Sequence, residues 1–94
     1  MKSIGRGVTL YNKTMTLANT EYSQTLPYGT VKFMVQNRGA YDTKLSFAET
    51  TSGTNYITIK NGGVYYEDII ETSRTLYFQC ATAGQVLEIV IWVR

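Results

Sequence analysis

Short segments in which apolar and polar residues alternate recur about every ten residues along this chain, and that rhythm constrains its fold more than any other feature. Side chains of a strand point alternately to two faces, so Val31, Phe33 and Val35 share one side while Lys32, Met34 and Gln36 share the other. The first set predicts a core face, and the second a face for solvent or a partner. The same alternation places Leu45 and Phe47 inward against Lys44 and Ser46, Ile57 and Ile59 opposite Tyr56 and Thr58, and Leu76, Phe78 and Cys80 inward against Tyr77 and Gln79. Tyr22, Gln24 and Leu26 share a side of an earlier segment, and Thr14 to Leu17 could open the sheet. The last segment differs: Leu87, Ile89, Ile91 and Val93 are apolar, and so are Val86, Val90 and Trp92 on the other face, which predicts a strand buried on both sides.

Gly, Asn, Ser and Thr clusters punctuate these segments, and nowhere does a helical period appear. Pro27-Tyr28-Gly29 and Ala83-Gly84 read as turns and Glu49 to Asn55 as a polar loop. Asn61-Gly62-Gly63 tolerates positive φ and predicts a tight hairpin from Ile59 into Val64-Tyr65-Tyr66. Ninety-four residues fit one core. Together these predict an all-β fold, an antiparallel two-sheet β-sandwich of jelly-roll type with seven or eight strands, with a five-stranded barrel as the rival. With 44% hydrophobic and 17% charged residues the chain is too apolar for disorder.

Charge is unevenly placed. Lys2, Arg6 and Lys13 fall in the first thirteen residues, leaving six basic against seven acidic residues for the rest. Gly5 and Gly7 disfavour a stable local fold there. Residues 1–13 therefore read as an extended N-terminal arm and residues 14–94 as a single β-sandwich domain. Lys2, Ile4, Arg6, Val8, Leu10 and Tyr11 are the arm's candidate partner-binding residues, three of them cationic or aromatic and three aliphatic. The alternative is that Val8 to Tyr11 forms a first strand.

The chemistry-bearing residues are few. Histidine is absent, which removes the commonest general base and metal ligand. Cys80 is the single cysteine and reads as a buried hydrophobe, unable to form an internal disulfide or, without histidine, a structural zinc site. Glu67, Asp68 and Glu71 cluster, but neighbouring strand residues point to opposite faces and a solvated turn holds such acids more often than a catalytic pair. The expectation is a chain without enzymatic activity, metal or cofactor. No apolar run reaches a membrane-spanning length, the longest being interrupted by Glu88, and no apolar stretch follows the basic N-terminus, so a cytoplasmic origin is expected. Asn12-Lys13-Thr14 matches a glycosylation sequon, a chance match without a secretory signal. A near-neutral body argues against nucleic acid as a partner.

Eight tyrosines are the chain's distinctive resource. Tyr22, Tyr41, Tyr56, Tyr65, Tyr66 and Tyr77 read as core and interface residues, the alternative being a platform on which sugars stack. Tyr65, Tyr66 and Trp92 are the candidates for self-association.

Four stretches carry a family resemblance: Thr16-Leu17-Ala18-Asn19-Thr20-Glu21-Tyr22-Ser23-Gln24-Thr25-Leu26-Pro27, then Lys32-Phe33, then Tyr56-Ile57-Thr58-Ile59-Lys60-Asn61-Gly62-Gly63-Val64-Tyr65, and Thr75-Leu76-Tyr77-Phe78. In this order, from about Thr16 to Trp92, the chain resembles small virion proteins of tailed bacteriophages and prophages. The resemblance implies a β-sandwich mounted on the particle, as a capsid decoration protein that binds and stabilises the head or a related accessory component. It also implies a place in the virion after synthesis in the bacterial host cytoplasm, the phage major capsid protein or another virion component as partner, and a homotrimer by analogy. A head-fibre or tail accessory module binding host-surface carbohydrate is the alternative.

Overall fold

The computed structural model describes residues 7–68 and 74–93. It is all-β, with eight strands: β1 (Gly7–Met15), β2 (Tyr22–Thr25), β3 (Thr30–Asn37), β4 (Thr43–Ser46), β5 (Ile57–Ile59), β6 (Val64–Asp68), β7 (Thr75–Cys80) and β8 (Gln85–Val93). They form two antiparallel four-stranded sheets, sheet A in the order β1-β8-β3-β6 and sheet B in the order β2-β7-β4-β5. The first strand pairs with the last, the second with the seventh, the third with the sixth and the fourth with the fifth. The chain is thus one long antiparallel ribbon, doubled back at the loop between β4 and β5 and wound into a sandwich, which is the jelly-roll arrangement.

The core is built from the inward positions that alternation predicts. Phe33 and Val35 of β3, Leu45 of β4, Leu76, Phe78 and Cys80 of β7, and Leu87, Ile89 and Ile91 of β8 are all buried. Fully burying each large aliphatic or aromatic side chain contributes roughly 1.5–3 kcal/mol. A register irregularity between Thr30 and Lys32 turns Thr30 inward, where its hydroxyl donates to the Pro27 carbonyl at 2.6 Å, and leaves Val31 half-buried. The Pro27 to Gly29 turn is as expected, with Gly29 at φ 90°.

Three expectations are corrected. Residues 7–13 are not an arm but most of β1, which pairs with β8 from Gly7 opposite Val93 to Met15 opposite Gln85. The physical reason is that β8 is an interior strand of sheet A, and β1 satisfies the row of backbone donors and acceptors that β3 leaves free. Lys2, Ile4 and Arg6 lie outside the described residues. Asn61-Gly62-Gly63 makes the tight turn, with Gly62 at φ 79° and the Gly63 amide donating to the Lys60 carbonyl at 2.7 Å, yet β5 and β6 belong to different sheets. The turn is a crossing between layers rather than a hairpin. Finally, β8 is buried on one face only: Val86, Val90 and Trp92 on its other face remain partly exposed.

Buried Asn37, at the end of β3, holds the crossing turn in place. Its backbone carbonyl accepts from the Gly62 amide at 2.9 Å, and its own amide donates to the Gly63 carbonyl at 2.9 Å. Its side-chain amide donates to the Ile59 carbonyl at 3.0 Å and the Tyr41 carbonyl at 2.7 Å, while its side-chain oxygen accepts from the Gly39 amide at 2.8 Å. On the other sheet the loop between β4 and β5 folds back over sheet B. Glu21 accepts hydrogen bonds from the Thr50 amide at 2.8 Å, the Ser52 amide at 3.1 Å and the Ser52 hydroxyl, which in turn accepts from Gln79 at 2.8 Å. This cover explains why outward-pointing Ser46 is buried. Burial of the Glu21 carboxylate disfavours its charge, but the Ser52 hydroxyl and the two backbone amides outweigh that and hold its pKa below the ordinary glutamate value.

Candidate functional site

The outer face of sheet A is where the strands assemble what the sequence scatters. Strand register aligns Leu10 of β1 with Val90 of β8, Val90 with Met34 of β3, and Met34 with Tyr66 of β6. An unbroken apolar row therefore crosses all four strands. Beside it, Val8 aligns with Trp92 and Trp92 with Lys32. On the other side Asn12, Glu88 and Gln36 form a polar row that ends at Val64.

These residues point outward because the opposite alternation on each strand fills the core. Leu10 is 68% exposed, Tyr66 60% and Val8 57%. A contiguous apolar patch of this kind, rimmed by polar residues, is the sort of surface that marks association sites. The Lys32 ammonium lies 4.8 Å from the Trp92 ring centroid and 5.9 Å from that of Tyr66. Such cation–π contacts at an exposed site contribute about 0.5–1 kcal/mol and lay the lysine's aliphatic stem along the patch. Arg38 and Glu88 form an ion pair of 3.3 Å on β8's polar side. The face has the composition of an association surface, with aromatic, aliphatic and methionine side chains at its centre and charge at its margin.

Of the residues singled out from sequence, Val8, Leu10, Tyr66 and Trp92 come together on this face. Tyr11 and Tyr65 do not: they occupy the two ends of an inner row, Tyr11-Ile89-Val35-Tyr65, and pack against the core from the outer strands of sheet A. Amphipathic tyrosines suit those positions, where one end of the side chain is dry and the other wet. The Tyr65 hydroxyl donates to Glu67 at 2.6 Å, and Arg74 binds the other Glu67 oxygen at 2.8 Å. Burial first, then the bond to Glu67 and the negative charge of Glu67, push the Tyr65 phenol up to about 12 against the opposing charge of Arg74. Phe33, Phe47 and Tyr65 form an aromatic cluster with centroids 6.2–6.5 Å apart. Met34, Val64 and Val90 belong to the outer face and were not among the sequence candidates. Their signal was present in the outward alternation of β3 and in the doubly apolar pattern of β8, but not the register that joins them.

Glu67 is committed to Tyr65 and Arg74, Glu71 lies outside the described residues, and the buried Cys80 thiol points at the Asp42 carbonyl at 3.3 Å. Among the described residues no cluster of three or more His, Cys, Asp or Glu could hold a metal ion, and no helix is long and apolar enough to cross a membrane.

Fold and surface together define a small jelly-roll module whose described residues leave an apolar sheet face uncovered. No family model matches the chain, and no curated protein sequence matches it. Among solved structures it is similar to a de novo designed double-stranded β-helix determined by solution NMR, at 13% identity over 92% of this chain and 97% of that one, with a TM-score of 0.56. At that identity the likeness speaks to the fold alone.

Proposed function

We propose that this chain is a non-enzymatic structural protein that works by association, a bacteriophage virion component of the capsid-decoration type, and that it self-associates through the outer face of sheet A. The observation that carries the association is the Leu10-Val90-Met34-Tyr66 row, apolar from one edge of the sheet to the other. A standard interface buries about 800 Å² per partner, with an apolar centre and a polar rim. The face supplies both, and its centre needs no group that a second copy lacks: Lys32 of one copy can meet Trp92 of another as it meets its own. A domain of this size has only about 5–14 kcal/mol of stability in all, so burying such a face is a substantial gain. The virion placement and the trimer rest on the sequence resemblance, with the major capsid protein or another virion component as the further partner.

Light scattering during size exclusion at micromolar concentration tests the association. The expected species is a homo-oligomer, a trimer in keeping with the resemblance, and Leu10→Lys with Tyr66→Lys should yield a folded monomer. Each replacement removes roughly 1.5–3 kcal/mol of apolar burial and sets a lysine against apolar surface. A monomeric parent protein refutes the interface. Co-sedimentation with purified phage particles tests the placement separately.

A further inference from the structure

We infer that the opposite side of the molecule carries a binding groove for an uncharged sugar. It runs along the β4–β5 edge of the outer face of sheet B, on the sheet that the proposed association leaves free, and it stands independently of that reading. A depression of about 450 Å³ is lined there by Tyr41, Asp42, Lys44, Tyr56, Thr58 and Thr82, within the size range of small-molecule sites. A second depression of about 380 Å³ shares Tyr56 but turns towards the core side of the same strands, where Leu45, Phe47 and Ile57 line it with Thr51 and Asn55. Tyr41 is 54% exposed and Tyr56 41%.

The chemistry of this lining favours a sugar. A pyranose ring has a C–H face, which seats on an aromatic ring, and a rim of hydroxyls that both donate and accept. Tyr41 and Tyr56 offer the flat apolar surface with a polar tip. Asp42 accepts, Lys44 donates, and the Thr58 and Thr82 hydroxyls do either. The Lys44 ammonium lies over the Tyr56 ring, 4.9 Å from its centroid, so it sets a donor on the aromatic face itself, and a sugar seated on that face displaces it from the ring. Net charge in the groove is low, because its lining holds one acid and one cation, Asp42 and Lys44. That balance suits an uncharged ligand over a phosphate or a sulfate. An extended peptide adding to the sheet edge is the weaker fit, since β5 has three residues and offers too few backbone groups to template a strand.

The test is an amide-shift titration of the full chain with neutral tetrasaccharides of glucose, galactose, mannose and N-acetylglucosamine, each to about 10 mM, a concentration that detects millimolar binding. At least one should shift amides centred on Tyr41, Lys44, Tyr56 and Thr58. Tyr56→Ala and Tyr41→Ala should each weaken that binding by about tenfold or more, the effect expected when one stacking ring is lost, while Tyr66→Ala on sheet A should leave it unchanged. The inference is overturned if no sugar shifts the groove, if an uncharged extended peptide shifts it and the sugars do not, or if both alanine variants, folded by their spectra, bind as the parent does. None of these outcomes bears on the oligomeric state, so failure here is separate from failure of the association.

Discussion

Replacing Asn37 with leucine should destabilise the fold more than its single polar side chain suggests, because that side chain ties β3 both to residues 39–41 and to the end of β5. The substitution keeps the volume roughly constant and deletes three hydrogen bonds, to the carbonyls of Ile59 and Tyr41 and from the amide of Gly39. A net contribution of about 0.5–1.5 kcal/mol for each gives roughly 1.5–4.5 kcal/mol. The bond to Ile59 is buried at both ends, so that carbonyl has no water to replace the lost donor and the cost falls in the upper half, about 3–4 kcal/mol. Against a total of about 5–14 kcal/mol this is a large share, and for a domain of this length it corresponds to a fall in Tm of roughly 12–30 °C. Urea denaturation at fixed protein concentration, followed by circular dichroism and by Trp92 fluorescence, measures it. The backbone bonds between Asn37 and the Gly62-Gly63 turn survive the substitution, so the fold itself should persist with an unchanged slope against denaturant. A loss below about 1 kcal/mol at unchanged slope would refute the idea that this side chain ties the end of β5 and residues 39–41 to β3.

Two further predictions concern titrating groups. Because the Glu21 pKa is held below its ordinary value, the carboxylate's contribution to stability is present above that value and is lost as pH falls through the lower, folded one. Glu21→Gln should abolish this acid-side dependence and speed amide exchange at Thr50 and Ser52, and unchanged exchange at both would count against the tie. The Tyr65 phenol, raised to about 12, contributes stability that is complete below about 10 and is lost between about 10 and 12 as pH rises. Tyr65→Phe should remove that alkaline loss at a cost of about 1 kcal/mol at neutral pH, read from tyrosinate absorbance and thermal melts, and an unaltered alkaline titration refutes the assignment.

The two outer faces divide the labour of the fold. Among the described residues nothing covers the apolar row of sheet A, whereas the loop between β4 and β5 covers part of sheet B and, with Tyr56 at its foot, lines the depression beside it. One loop serves as the tip of the wound ribbon, the cover over Ser46 and one wall of a cavity.

The local pattern of this chain was sufficient to specify strands, turns and most of the core, because a period of two assigns each residue to one side of its own strand without reference to any other. Thus Phe33, Val35, Leu45, Leu76, Phe78 and Ile89 are inward as their alternation predicts. Which side is core becomes undecidable where both sides are plausible, as in β1: Val8 and Leu10 are more apolar than Thr9 and Tyr11, yet they face out, because pairing with β8 sets the register and the core at that edge has room for a tyrosine. Turn chemistry has the same limit. Asn61-Gly62-Gly63 specifies a reversal with positive φ, and whether the two strands then pair or part to different sheets depends on Asn37, twenty-four residues earlier, and on the partners β3 and β4 provide. The apolar row of sheet A is assembled from four strands spread between residues 10 and 90, so only the tertiary pairing, with its long-range hydrogen bonds, could bring it together.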